Sequence, residues 1–252
     1  MVAKPRTGLN SSPVTKSGLT LPSAPRKDFR RNFIQVAVCE LRFPIVLELE
    51  SKPPARLHSQ IRQSYPNYEV RTSLTIEPQS ETREPVYTFS SREKIWTIAI
   101  RPYAIALETR NYTSFTDFMK RMKALIVPAA KEFDTEMYTR VGLRFIDHIP
   151  FNGDPVNSWV KEDLVRSVTD SHLQPESFWQ VIQGKASKGK YTYQHGIHPQ
   201  QSGTYVLDFD FYKEDVDLDV TERLIKDLHE QSRDLFFWSL GQKSLDFMAS
   251  EG

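Results

Sequence analysis

The stretch YTRVGLRFIDHIPF, Tyr138–Phe151, decides how the rest of the chain is read. Val141, Leu143 and Phe145 alternate with Arg140, Gly142 and Arg144. A period of two is that of a β-strand, so the apolar side chains take one face and both arginines the other. The pattern before this stretch runs strand, helix, several strands, long helix, and the pattern after it runs much the same way again. The segment therefore reads as the first strand of a second, similar half.

The first half begins with a strand over residues 32–43. Ile34, Val36 and Val38 share one face, while Phe33, Ala37, Cys39, Leu41 and Phe43 share the other. Two apolar faces predict a central strand, stopped at Pro44. Pro53 and Pro54 suit a first helical turn, and Leu57, Ile61 and Tyr65 predict a short amphipathic helix over 53–64. Four strands are expected at 68–77, 85–90, 93–100 and 103–109, all rich in β-branched and aromatic residues. A strong helix follows at 114–133, with Ser114 as N-cap and an apolar stripe through Phe118, Met122, Leu125 and Ile126. Pro128 should kink or end it.

The second half starts with the strand 138–149 and one helix carrying Val156, Trp159, Val160, Leu164 and Val168 on a single face. Strands follow at 177–183, 190–196 and 204–212. The last helix, 220–239, takes Asp219 as its cap and stops near Gly241. The expected fold is α+β: a duplicated β-α-β-meander-α unit forming one curved antiparallel sheet with both long helices on the same face. By element order alone it is analogous to a TATA-binding-protein-like saddle. Residues 32–252 are expected to form a single domain of two similar halves, 32–135 and 136–252.

With 39% hydrophobic and 26% charged residues the chain reads as globular. No apolar run approaches the ~20 residues that span a bilayer, and no signal peptide is expected, so the reading is cytoplasmic with no membrane partner. Cys39 is the one cysteine and has no internal partner, so a buried reduced thiol is expected. Residues 1–31 carry seven of the 33 basic residues but only one of the 32 acidic ones, leaving a body of net charge −5. Rich in Ser, Pro, Thr and Gly, residues 1–28 read as disordered, part of a basic tail over 1–31. An acidic body weighs against a protein dedicated to nucleic acid.

In order and spacing, the pieces CELRFP (39–44), SYP (64–66), WTIAI to YAIALETRNYTSFTDF (96–118), RVGLRFIDHIPF (140–151) and LHEQSRDLFF (228–237) resemble a sporadically distributed bacterial protein family of about 250 residues and unknown function. The likeness spans nearly all of the chain except the tail. One departure is at Asp147-His148, where the family more often has an Asn-type residue. The resemblance implies a prokaryotic cytosolic protein and suggests linkage to mobile or defence-type gene clusters. It supplies no catalytic residues.

Chemistry-bearing motifs are few. Asp215, Asp217 and Asp219 fail the calcium-loop pattern, whose sixth and twelfth positions here are Val220 and Lys226, and read as an acidic turn. His195 and His198 have no third ligand nearby in sequence. Asp147 and His148, being adjacent, point to opposite faces of a strand. No phosphate-loop, dinucleotide or nucleophile-elbow fingerprint is present, so no catalytic residue and no cofactor or metal is expected. Strand 204–212 should bury Tyr205, Leu207, Phe209 and Phe211, turning Asp208 and Asp210 toward Arg140 and Arg144. Lys185, Lys188 and Lys190 beside Tyr191 and Tyr193 form a basic hairpin tip.

The expectation is a non-enzymatic protein-interaction module, binding a protein partner or itself. It would bind through the open face of the sheet or its edges, with an apolar patch from Trp96, Ile98, Ile100, Ala104 and Ala106 and Trp96 as anchor, although the same alternation could equally bury these residues. One alternative is nucleic-acid binding through the tail and the lysine loop. Another is an enzyme whose site assembles only in three dimensions.

Overall fold

The computed structural model describes residues 18–25, 29, 31–77, 80–151, 153–169, 175–200 and 203–250. Its centre is one nine-stranded antiparallel sheet, in spatial order β2-β3-β4-β5-β1-β6-β9-β8-β7. The strands are β1 (Ile34–Arg42), β2 (Asn67–Glu77), β3 (Ser80–Ser90), β4 (Trp96–Arg101), β5 (Ala104–Thr109), β6 (Met137–Pro150), β7 (Phe178–Ala186), β8 (Gly189–Ile197) and β9 (Thr204–Asp217). β1 and β6 pair at the middle, Cys39 opposite Leu143, and each carries the rest of its half outward. Their central position explains why β1 is apolar on both sides at Val36 and Val38.

Helices lie mostly on one side of the sheet. The elements are α1 (Ala55–Ile61), α2 (Phe115–Glu132), α3 (Val156–Trp159), α4 (Glu162–Thr169), α5 (Thr221–Ser239) and α6 (Gln242–Ala249). Trp96 packs against Phe118 of α2, and Phe209 meets Phe236 of α5 edge-on. The Tyr138 hydroxyl donates to the Ile126 carbonyl, and Tyr193 is hydrogen-bonded to Ser239. The core is the layer between: Cys39, Leu41, Ile98, Leu107, Leu143, Leu207, Phe209 and Phe211 are fully buried there. α2 keeps its Ser114 cap, whose hydroxyl accepts from the Asp117 N–H at 3.2 Å, and runs on through Pro128 to Glu132.

Four expectations are corrected. The single helix read through Val156–Val168 is two, because Val160 turns extended and forms a β-bridge with Leu240. Asp219 does not cap the last helix: it lies in a 3-10 turn, and the position before α5 is Val220, with Thr221 Oγ1 donating to the Asp217 carbonyl. A further helix, α6, lies beyond Gly241. Within the stretch read as disordered, residues 18–25 are laid against the fold. Leu19 N–H donates to the Lys185 carbonyl and the buried Ala24 N–H to Asp234 at 2.7 Å, while Arg233 donates to the Pro25 carbonyl. Buried contacts of Leu19 and Leu21 with the core outweigh their Ser/Pro-rich surroundings. Residues 1–17, 26–28 and 30 of that tail lie outside the described residues.

The pairing of β7 with β8 depends on Gly196, which has φ of +153° and whose missing Cβ would sit 2.0 Å from the Phe178 carbonyl oxygen. Backbone cannot retreat as a flexible side chain can. Gly196→Ala should therefore cost about 1–3 kcal/mol, combining an unfavourable backbone conformation with a backbone clash. Thermal melts should show a drop of several degrees, and a melting temperature equal to that of the parent would show that β7 does not pack as described.

Candidate functional site

The open face of the sheet is polar, and its centre is a lattice of ion pairs. Register places Arg144 opposite Asp210 and Arg140 opposite Glu214. Neither arginine bonds the acid directly across: Arg144 leans one same-face pair along the strand, and Arg140 leans two, past the Gly142/Tyr212 pair. Arg144 holds Asp208 through two contacts of 2.8 and 2.5 Å, and Arg140 holds Asp210 through two of 2.9 and 2.7 Å. Arg140 also reaches Glu40 of β1 at 3.3 Å, and Glu40 takes Arg42 at 2.6 Å. Arg101 continues the chain of charges to Glu84, which accepts from the Tyr103 hydroxyl. The expected facing of Arg140 and Arg144 with Asp208 and Asp210 is thus present, formed by planar two-point contacts.

This lattice is set by sequence at one small residue. Arg140 lies flat across Gly142, with its guanidinium 4.5 Å from the ring centre of Tyr212. A Cβ on Gly142 would come within 2.3 Å of Arg140 Nη1. Burial pushes the Asp210 carboxyl up, against the opposing pull of Arg140, while the hydrogen bonds it donates to Asp208 hold the Arg144 guanidinium above its ordinary value. Beside the lattice, β2, β3, β4 and β5 form a shallow trough of about 850 Å³, lined by Glu69, Arg71, Thr88, Thr97, Arg101 and Arg110 among others.

The proposed apolar patch is not on this face. Trp96, Ile98 and Ile100 point to the helix side, where Trp96 is 4% exposed and lies under the Arg121 guanidinium at 4.4 Å. The alternation within β4 is as expected but faces the other way, with Thr97, Ala99 and Arg101 on the open face, and the expected grouping with the alanines of β5 is corrected because Ala104 and Ala106 lie opposite Arg101 and Ala99. Ala104 and Ala106 share that face but show almost no surface. The lysine hairpin is exposed at Lys185, Lys188 and Lys190, and its backbone is tied down on two sides. Lys190 is paired with Glu214 at 2.6 Å, Ser187 and the Lys188 N–H bond Gln231 of α5, and the Lys185 carbonyl accepts from Leu19.

Two features were missed in sequence. The first is the place of the expected strand 177–183, which forms β7 at the edge of the sheet and exposes Trp179, Val181 and Ile182 at 42, 56 and 41%. The second is a cleft of about 370 Å³ on the helix side, between the start of α2 and α5. Its floor is Phe145, Asp147 and Phe209. Its walls are Tyr112 and Phe115 on one side and His229, Arg233 and Phe236 on the other. Phe115 and His229 stack with ring centres 3.7 Å apart. Asp147 is 1% exposed, and its Oδ1 has no hydrogen-bond partner among the described residues. Burial, with a further push from Asp208, raises its carboxyl well above the ordinary range. The signal was legible: Asp147 occupies a core position in the alternation Phe145, Asp147, Ile149.

No protein-family model matches the chain and no curated protein matches it, so the likeness to the bacterial family rests on the motifs alone.

Burial pushes two histidines down to about 4: His195, bonded to the Tyr205 hydroxyl at 2.7 Å, and His229, where Arg233 adds to the effect. Both are neutral in the fold and titrate near 6.5 when unfolded. The native state then binds fewer protons, so their contribution is complete above pH ~6.5 and is lost as pH falls toward ~4. Chemical denaturation across that window should show a loss on the order of a few kcal/mol. Gly142→Ala, by displacing the Arg140 guanidinium, should cost about 1–3 kcal/mol, and the Asp210→Asn background should shrink that cost; equal costs in both backgrounds would disconnect Gly142 from the ion pair.

Proposed function

We propose that the protein is a non-enzymatic interaction module that works by strand addition at the edge of its sheet, along β7. The observation that carries this reading is the outer rim of β7 between Trp179 and Gln183, unpaired among the described residues. Leu19 reaches the Lys185 carbonyl from outside the sheet, so Lys185, Gln183, Val181 and Trp179, alternating along the strand, turn their backbone groups outward. Between Trp179 and Gln183 those groups have no backbone partner among the described residues. An exposed edge with Trp179, Val181 and Ile182 beside it is a template for another strand.

The occupant that fits is a second copy of this chain. Antiparallel pairing of two β7 strands about Val181, over the stretch Trp179–Gln183, places Trp179 opposite Gln183, so no like charges meet. A two-fold contact of this kind is self-complementary and closed. Trp179 thus takes the anchoring role expected of Trp96. The mirrored order of strands about β1 and β6 supports descent from a duplicated unit and a saddle-like sheet.

Analytical ultracentrifugation of the full chain over a range of concentrations tests the proposal. A concentration-dependent dimer is expected, and Val181→Lys should abolish it while the dilute protein melts at the parent temperature. A chain that stays monomeric at every concentration, or a dimer indifferent to Val181→Lys, overturns it.

A further inference from the structure

We propose that the cleft between α2 and α5 binds a small organic cation, a protonated amine carrying a flat apolar body, with Asp147 as its counter-ion. A buried carboxyl oxygen without a partner costs free energy in the unliganded fold. Asp147 lines the cavity, so a ligand entering it can supply the missing hydrogen bond. Around that carboxyl the surfaces are aromatic: Tyr112 and Phe145 meet edge-on at 5.6 Å, and Phe115, Phe209 and Phe236 complete the lining. Aromatic faces beside an acidic group attract a desolvated ammonium and accept an apolar ring. At about 370 Å³ the cleft has the size of a small-molecule site.

The surrounding charges are compatible with that ligand. His229 is uncharged near neutrality, and Arg233 is turned to the Pro25 carbonyl and the Phe237 ring. Tyr112 and Tyr193, both pushed up chiefly by burial and further by Asp147, stay neutral as well. Asp208 is directed to the other face, where Arg144 holds it. An anionic ligand would meet the Asp147 carboxyl at the floor, and Arg233, the one cation among the described lining residues, is engaged at the wall by the Pro25 carbonyl and the Phe237 ring. A seated ammonium pairs with the ionised carboxylate, so the charges balance without another reactant.

Isothermal titration calorimetry on the full chain near neutral pH, with 2-phenylethylamine as probe and the uncharged 2-phenylethanol as its match, decides the matter. The amine should bind saturably and the alcohol at least roughly tenfold more weakly, as expected for loss of a charged hydrogen bond. Asp147→Asn keeps the shape and removes the charge; it should reduce the amine to the level of the alcohol. Its melting temperature should hold or rise, because the parent carboxyl is penalised by burial as pH climbs above its ordinary 3.8. Thr116→Trp, at the exposed mouth, should weaken both probes without touching the core. Equal affinity for the two probes, unchanged amine binding in Asp147→Asn, or no saturation by about 10 mM amine would overturn the assignment.

Discussion

The open face depends on Arg140 lying flat over Gly142. A strand that pairs on both sides sends its long side chains straight up from the sheet unless a neighbour leaves room. Gly142 leaves that room, Tyr212 provides the ring beneath, and the guanidinium reaches Asp210 on one side and Glu40 on the other. One side chain thereby ties β1, β6 and β9 together across the join between the two halves. Because Arg140 is only 15% exposed, its contacts are shielded from solvent more than an ordinary surface pair, whose worth is about 0–1 kcal/mol.

The opposite face follows a different rule. Apolar alternation on β1, β6 and β9 supplies a nearly dry layer beneath α2 and α5, and any polar group placed there must find a partner or lose its charge. Tyr138 and Tyr193 find partners in a helix carbonyl and a serine. His195 finds one for Nδ1 but none for Nε2 among the described residues, and Asp147 leaves Oδ1 bare. Unsatisfied groups of this kind are expensive enough that a binding role is a reasonable source for their presence. The helices do not seal this face: between the first turn of α2 and α5 the cleft stays open above Asp147.

Much of the fold was legible because strands and helices announce themselves by period. All nine strands were read in order, and both long helices fell within a residue or so of their observed ends. The pairing of Arg140 and Arg144 with Asp208 and Asp210 followed from the same alternation. Breaks were harder to see: Val160 has an apolar side chain in helical phase with its neighbours, and only its bridge to Leu240 pulls it into an extended conformation. The segment 18–25 has a disordered composition, yet Leu19, Leu21 and Ala24 find apolar and hydrogen-bonding surface that exists only once α5 is docked.

The sequence by itself determined the element order, the in-or-out alternation of each strand, and which arginines and aspartates share a face. Period-two patterning is local, so it needs no knowledge of the partner strand. Tertiary structure alone decided which of the two faces the helices cover. Alternation sorts side chains into two sets without saying which set is inside, and this is why Trp96 lies under α2 while Thr97 and Arg101 face outward. It also decided that β7 ends the sheet and exposes Trp179, and that Asp147 opens into a cleft rather than into packed core. Both depend on what a distant segment does or does not cover, and no local pattern of residues encodes that.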